Sequence, residues 1–188
     1  MPIRNHRQRH DPSKNLVGFV VGDVEYAVPI KIVREIANPL VVVPLPRAPA
    51  SISGVADYRG EVVPVVDLRV RFGLTPSSLT RRTKWIVIDV GDRFAALVVD
   101  AVTDVFGTGG AELLPAPTLG GGDDERGIAA VTKHGPGLVF VLDHIRFRHM
   151  TEQLAASGAL GPQRNSVLPE SVRPKPMGLK GPGSEGVP

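Results

Sequence analysis

The chain repeats itself. Gly22-Asp23 in LVGFVVGDVEYAVPI returns as Gly91-Asp92 in WIVIDVGDRFAALVV, an interval of 91 − 22 = 69 residues. The same interval relates Val33 to Val102, Glu35 to Asp104, Ile36 to Val105, Leu45 to Leu114 and Pro46 to Pro115. Further on it widens to 138 − 62 = 76, where VVPVVD at Val62 to Asp67 matches LVFVLD at Leu138 to Asp143. The second copy therefore carries about seven extra residues, most simply GGGDDE from Gly120 to Glu125, which reads as a surface loop. Each copy holds two or three short apolar runs, one helical turn, a Leu-Pro turn and a last hairpin. That is too little chain to bury a core alone. The copies are expected to pack together, leaving between them a cleft lined by Val and Ile.

Composition sets the limits. With 188 residues, 42% hydrophobic and 22% charged, the chain fits one globular domain or two small ones. It has no cysteine, which excludes disulfides, thiol nucleophiles and thiolate metal sites. No uncharged apolar run approaches the roughly 18 residues of a membrane span, and the start lacks a secretory h-region, so a cytoplasmic protein is expected. The isoelectric point of 9.5 suggests nucleic acid, but the basic charge sits in the ends. Residues 1–14 carry +3 and residues 157–188 carry +2, against a total of +3, which leaves the body at −2. A small barrel binding single-stranded nucleic acid is thus the second functional reading, opposed by that charge and by 5% aromatic content.

Turn chemistry divides the chain. Residues 1–14 read as flexible. Leu16 to Val21 and Val24 to Val28 read as strands joined at Gly22-Asp23. Pro29 opens a short helix with Ile32, Val33 and Ile36 on its apolar face, which Pro39 stops. Leu40 to Val43 resumes β character. Ile52 to Tyr58 and Glu61 to Val66 form a second hairpin across Arg59-Gly60, and Leu68 to Phe72 is a helical turn closed by Gly73. Thr75 to Thr83 connects the copies. Asp143 caps a helix to Ala156 with Phe147, Met150 and Leu154 on one face and Gly158 past its end. The packed domain is expected over residues 15–156. Residues 157–188, with six Pro and six Gly, read as a disordered tail.

Catalytic patterns are absent: no nucleophile elbow, Walker loop or HExxH occurs. His144 and His149 near the last helix, and His6 and His10 near the start, give no convergent metal set. Asp123, Asp124 and Glu125 lack the alternating ligands of a calcium loop, and GTGG at Gly107 to Gly110 has no strand-helix setting for phosphate. Neither a cofactor nor a metal is expected, and no catalytic residue is named.

FVVGDVEYAVPIKIVREI, VPLPRAPASISGVADYRGEVVPVVDLRVRFGL and IVIDVGDRFAALVVDAVTDVF together resemble the CheW-like domain family, over about Leu16 to Leu154. The most specific stretch runs from Ile52-Ser-Gly54-Val55 through Arg59-Gly60 and Pro64 to Asp67-Leu68-Arg69. The resemblance implies an all-β fold of two five-stranded SH3-like barrels related by a pseudo-twofold duplication, with short helices and a C-terminal helix. It also implies a non-enzymatic adaptor. Its partners would be the regulatory domain of a CheA-type histidine kinase and the cytoplasmic tip of chemoreceptors, and it would be recruited to receptor arrays without inserting in a membrane. By motif match Val33, Glu35, Gly54, Asp57 and Arg59 would lie on the partner surfaces.

Each has a structural alternative. Arg59 either meets a partner carboxylate or pairs internally with Glu35, Asp57 or Glu61. If such a pair only built the barrel, both copies should keep it, yet Gly135 stands at the place of Arg59. Gly54 suits a bend or bulge, Pro64 an edge or bulge, and Val33 a core position. Asp57 stands where the family has Asn, and its carboxylate is placed to tie down Arg59 and alter partner choice.

Overall fold

The structure, a computed structural model, describes residues 14–108, 113–116, 127–158 and 160. The acidic insertion at Gly120 to Glu125, His6 and His10, Gly109-Gly110, the start of the chain and the tail beyond Leu160 lie outside the described residues. The chain forms β1 (Leu16–Val21), β2 (Val24–Pro29), a 3-10 turn (Ile30–Ile32), β3 (Val33–Ala37), β4 (Ile52–Tyr58) and β5 (Glu61–Asp67). Then follow α1 (Leu68–Arg71), β6 (Lys84–Asp89), β7 (Phe94–Val99), β8 (Ala101–Phe106), β9 (Leu114–Pro115), β10 (Ile128–His134), β11 (Gly137–Leu142) and α2 (His144–Ala156). Gly22 and Gly60 turn the first two hairpins at φ 63° and 83°, conformations that glycine enters without steric cost. Asp143 caps α2 by accepting from the Ile145 amide.

One element is corrected. The helix expected from Pro29 to Pro39 is helical only at Ile30–Ile32, and Val33–Ala37 is a strand paired antiparallel with β6. Val33 and Ile36 are β-branched, and the ladder satisfies their backbone groups better than so short a helix would. A bulge between Val33 and Glu35 changes the register.

Two sheets follow one plan. The first orders its strands β8-β1-β2-β11-β10-β9 and the second β3-β6-β7-β5-β4, extended by a bridge from Val43 to Val55 beyond β4. Exchanging the copies turns one order into the other, with Val43 in the role of β9. Even the single parallel pairing recurs: Val141 faces Ala27 and Val65 faces Ala96, residues separated by the same 76 and 69. The sheets are nevertheless not one per copy. Each barrel takes its first hairpin from one copy and its remaining strands from the other, so neither copy builds a barrel by itself.

Strands β1, β2, β6 and β7 are consequently apolar on both faces. Trp85, Val87, Phe94 and Ala96 point into one barrel with Ala56, Tyr58, Val63 and Val65, while Leu16, Ala27, Phe106, Ala130, Val139 and Val141 fill the other. Their alternate residues, among them Phe19, Val21, Ile86, Ile88 and Leu97, meet in a shared core between the sheets. This corrects the expected Val/Ile cleft: the space between the barrels is packed. A hollow of about 680 Å³ opens between α1 and α2, with Pro49, Arg71, Arg146 and His149 among its lining. Helix α2, which lines that hollow, buries Phe147, Met150 and Leu154 in the shared core. Phe147 is fully buried, and Phe147→Ala would cost about 3 to 5 kcal/mol.

The packed chain extends past Ala156. Gly158, at φ 76°, ends α2 with its amide donating to the Ala155 carbonyl, and Leu160 returns to the shared core at 7% exposure. Pro64, read as an edge or bulge residue, sits buried in the inner strand β5, next to the register shift of β4 between Ile52 and Gly54. The Val55 backbone turns to Val43 rather than to Pro64, and the parallel ladder to β7 begins only at Val65, so no bond is lost.

Candidate partner-binding site

The first and last strands of the second sheet must meet for it to close. They meet at Glu35. Tyr58 on β4 donates its hydroxyl to Glu35 Oε2 on β3 at 2.6 Å, and Arg59 at the hairpin tip places Nη2 2.7 Å from the same oxygen. Tyr58 is buried and packs edge-on against Phe94 at 5.8 Å, while the Arg59 guanidinium lies 5.5 Å from the Tyr58 ring centroid. The two donors hold the Glu35 carboxyl below its ordinary range, the hydrogen bond from Tyr58 being the largest single cause and that from Arg59 the next. Burial, and then the bond to Glu35, pushes the Tyr58 phenol up. Glu35 raises the Arg59 guanidinium further, first through the hydrogen bond.

Arg59 therefore pairs internally with Glu35, and it is also presented outward: its side chain is 71% exposed. Its backbone sits at φ 55°, a left-handed conformation unfavourable to any residue with a Cβ. Asp57 does not tie it down. The Asp57 carboxylate accepts from the Gly60 amide at 2.7 Å and so holds the turn, a bond asparagine makes equally well. Val33 is half-buried against the shared core, as is its counterpart Val102. Gly54 is buried at the bulge of β4, where a Cβ would collide with the Val43 carbonyl. It reaches the surface only through the Val42-Val43 segment it admits. The structure thus brings Glu35, Asp57 and Arg59 to one barrel mouth, sets Val33 at the rim of the shared core and keeps Gly54 inside the wall.

Sequence reasoning missed Tyr58. The signal was its alternation with Ala56, which turns it into the barrel, and its counterpart 76 residues on, His134. In the other barrel His134 Nε2 lies 3.0 Å from Asp104 Oδ2, so both copies keep the clasp and only the arginine is missing. The expectation that a structural pair would recur is met by different side chains. Near the first mouth, Ile36 and Val62 are exposed, as are Val41 and Val43 on the stretch that runs up to the bridge, while Val42 between them packs against the barrel core. Among the described residues no group of three or more His, Asp or Glu side chains is placed to hold a metal ion. Arginine and apolar side chains together are the composition in which protein interfaces are enriched.

Comparison with known proteins agrees. Residues 15–150 match the CheW-like domain family. The chain belongs to that family. It is 39% identical over 116 residues to the chemotaxis protein CheW of Rhizobium meliloti, spanning 62% of this chain and 74% of that one. It is 36% identical over 110 residues to FrzA of Myxococcus xanthus, spanning 58% and 68%. The scaffolding protein TtCheW from Thermoanaerobacter tengcongensis shares the fold, with a TM-score of 0.63 over 74% of this chain and 90% of that one, at 24% identity. CheW-like proteins form a scaffold family without enzymatic activity, and this chain is a chemotaxis-type signalling adaptor. Among the described residues no helix is long and apolar enough to cross a membrane.

Proposed function

We propose that this CheW-like protein couples chemoreceptors to a CheA-type histidine kinase in the cytoplasm, with the mouth around Arg59 as its kinase surface. The observation that carries the assignment is an arginine kept in a left-handed backbone conformation, anchored on Glu35 and yet exposed. A residue held at conformational cost where the other copy uses glycine is retained for what it contacts. Its ion pair fixes the guanidinium in advance, so binding a partner carboxylate costs less side-chain entropy. The receptor surface is the seam where Ile30, Val33 and Val102 border the shared core. A helix with apolar residues on one face suits such a seam. Recruitment to receptor arrays follows from that contact.

Co-sedimentation tests the reading. A receptor cytoplasmic fragment should pull down the kinase regulatory domain only when this protein is present, and Val33→Glu should release the receptor while leaving the kinase bound. Sedimentation unchanged by the protein would overturn the assignment, and salt-dependent binding of oligonucleotides in its place would favour the small-barrel nucleic-acid reading.

A further inference from the structure

Helices α1 and α2 are counterparts in the duplication. Asp67 caps the first and Asp143 the second, 143 − 67 = 76 residues apart, each accepting from amides of its own first turn. Between the two helices lies the hollow of about 680 Å³. The same interval maps Val70 to Arg146 and Arg71 to Phe147, so each helix brings one arginine and one apolar residue here, in opposite order. The Arg71 guanidinium lies 5.0 Å from the Phe147 ring centroid and its Nη1 is 3.7 Å from Met150 Sδ, contacts that hold the half-buried side chain in place. Arg146 comes to the same point. A Cβ built on Gly127 would lie 3.4 Å from Arg146 Cγ and 3.7 Å from Arg71 Nη2. Helix α2 continues well past the length of α1, and Arg146, His149, Met150 and Gln153, spaced by three and four, form one stripe along the hollow. Among the described residues that line it none is a carboxylate, and Glu152, the one acid within α2, pairs with Arg148 at 2.8 Å away from the lining.

A cavity walled by two guanidiniums and an imidazole without an acid attracts an anion, and a guanidinium presents its donors in the fork that phosphate oxygens accept. Its volume suits a small molecule rather than a bare ion. We infer from this geometry that the hollow binds a small organic phosphate. Arg71 and Arg146 hold the phosphate, His149 and Gln153 offer further donors along the stripe, and the body of the ligand lies over the apolar surface of Pro49, Ala50 and Val70. One arginine comes from each copy, so an occupied hollow ties the two helices together and stabilises the folded protein by linkage. None of Glu35, Arg59, Val33 or Val102 lines it, and occupancy is compatible with the partner contacts.

Titration of the full chain with adenosine monophosphate, inorganic phosphate and adenosine tests the site, read by the His149 imidazole signals in NMR and by melting temperature. Adenosine monophosphate should shift His149, leave His134 in place and raise the melting temperature. Adenosine should do none of these at the same concentrations, and inorganic phosphate should shift His149 only at about tenfold higher concentration, for want of a body to bury. Arg71→Gln and Arg146→Gln should each weaken adenosine monophosphate about tenfold, the loss of one charge-assisted contact. Arg146 is exposed, so its substitution leaves folding intact and decides the matter where Arg71→Gln melts early. A His149 signal unmoved by about 10 mM adenosine monophosphate, or moved alike in wild type and Arg146→Gln, would overturn the site. Equal affinity for phosphate and adenosine monophosphate would overturn the organic ligand and assign the hollow to inorganic phosphate. Neither result touches the adaptor reading, which co-sedimentation tests separately.

Discussion

Tyr58 and Arg59 share one acceptor, yet their substitutions should separate folding from binding. In Tyr58→Phe the ring keeps its place against Phe94 while the 2.6 Å bond to Glu35 Oε2 is lost. A hydrogen bond to a charged acceptor contributes about 1.5 to 3 kcal/mol. Glu35 is 34% exposed, so water replaces part of it, and the loss falls to about 1 kcal/mol, or about 2 to 4 °C in melting temperature. Arg59→Ala removes an exposed donor that water replaces almost wholly, and the melting temperature should hold within about 2 °C. Affinity for the kinase regulatory domain should behave the other way: near wild type in Tyr58→Phe, about thirtyfold weaker in Arg59→Ala. The pH dependence adds a check. Glu35 is held below its ordinary value, so the clasp's contribution is complete above about pH 4.3, the unfolded carboxylate range, and fades as pH falls through the lowered folded value. Tyr58 is raised, so its contribution is complete below about pH 10 and is lost as pH rises through the raised value. The gap in stability between wild type and Tyr58→Phe should thus stay flat from about pH 5 to 9 and narrow in acid. Carbon-detected titration of Glu35 should show an upward shift in Tyr58→Phe and in Arg59→Ala alike, since each removes a donor that holds the carboxyl low. An Arg59→Ala protein that melts earlier than Tyr58→Phe and binds the kinase as wild type does would refute the division of labour.

The C-terminal boundary has its own expected outcome. A chain ending at Ala156 loses Leu160 from the shared core and the Gly158 cap, which should lower stability by about 2 to 3 kcal/mol by chemical denaturation, whereas one ending at Leu160 should unfold and bind kinase as the full chain does. At the hairpin, Asp57→Asn should leave both melting and kinase affinity unchanged, because the amide oxygen still accepts from Gly60. Asp57→Ala should lower stability by about 1 kcal/mol through loss of the turn bond, read by calorimetry.

The local signals in the chain were legible where one residue type decides a turn. Gly-Asp and Arg-Gly mark hairpins because positive φ is needed there, and Asp143 marks the start of α2 because a carboxylate satisfies the free amides of a first turn. The β3 segment was misread because Ile32, Val33 and Ile36 fall on a helical face by spacing. The bulge after Val33 breaks the alternation that would have marked a strand. The exchange of hairpins between copies leaves no local trace at all, since β1-β2 has the same pattern whichever copy's strands it joins. Its one consequence in the sequence is the near-continuous apolar run of LVGFVV, WIVI and FAALVV, which a strand exposed on one face does not need. Of the site, Glu35 and Arg59 were readable from the motif. Tyr58 was not, because an inward aromatic looks like core until the opposite strand supplies a carboxylate.

The exchange bears directly on what an adaptor must do. Were each barrel built from one copy, the two mouths would be joined by the nine residues from Thr75 to Thr83 and their relative orientation would drift with that linker. Here the hairpin β1-β2 lines the barrel of Asp104 with one face and the shared core with the other, and β6-β7 does the same for the barrel of Glu35. Pulling the mouths apart would strip strands out of both barrels. Their spacing is therefore fixed by the same contacts that make the protein fold, at no added cost in interface. The duplication could diverge at the mouths, Tyr58 to His134 and Arg59 to Gly135, because those residues lie at the rim, while the exchanged strands, buried on both sides, leave little freedom for substitution.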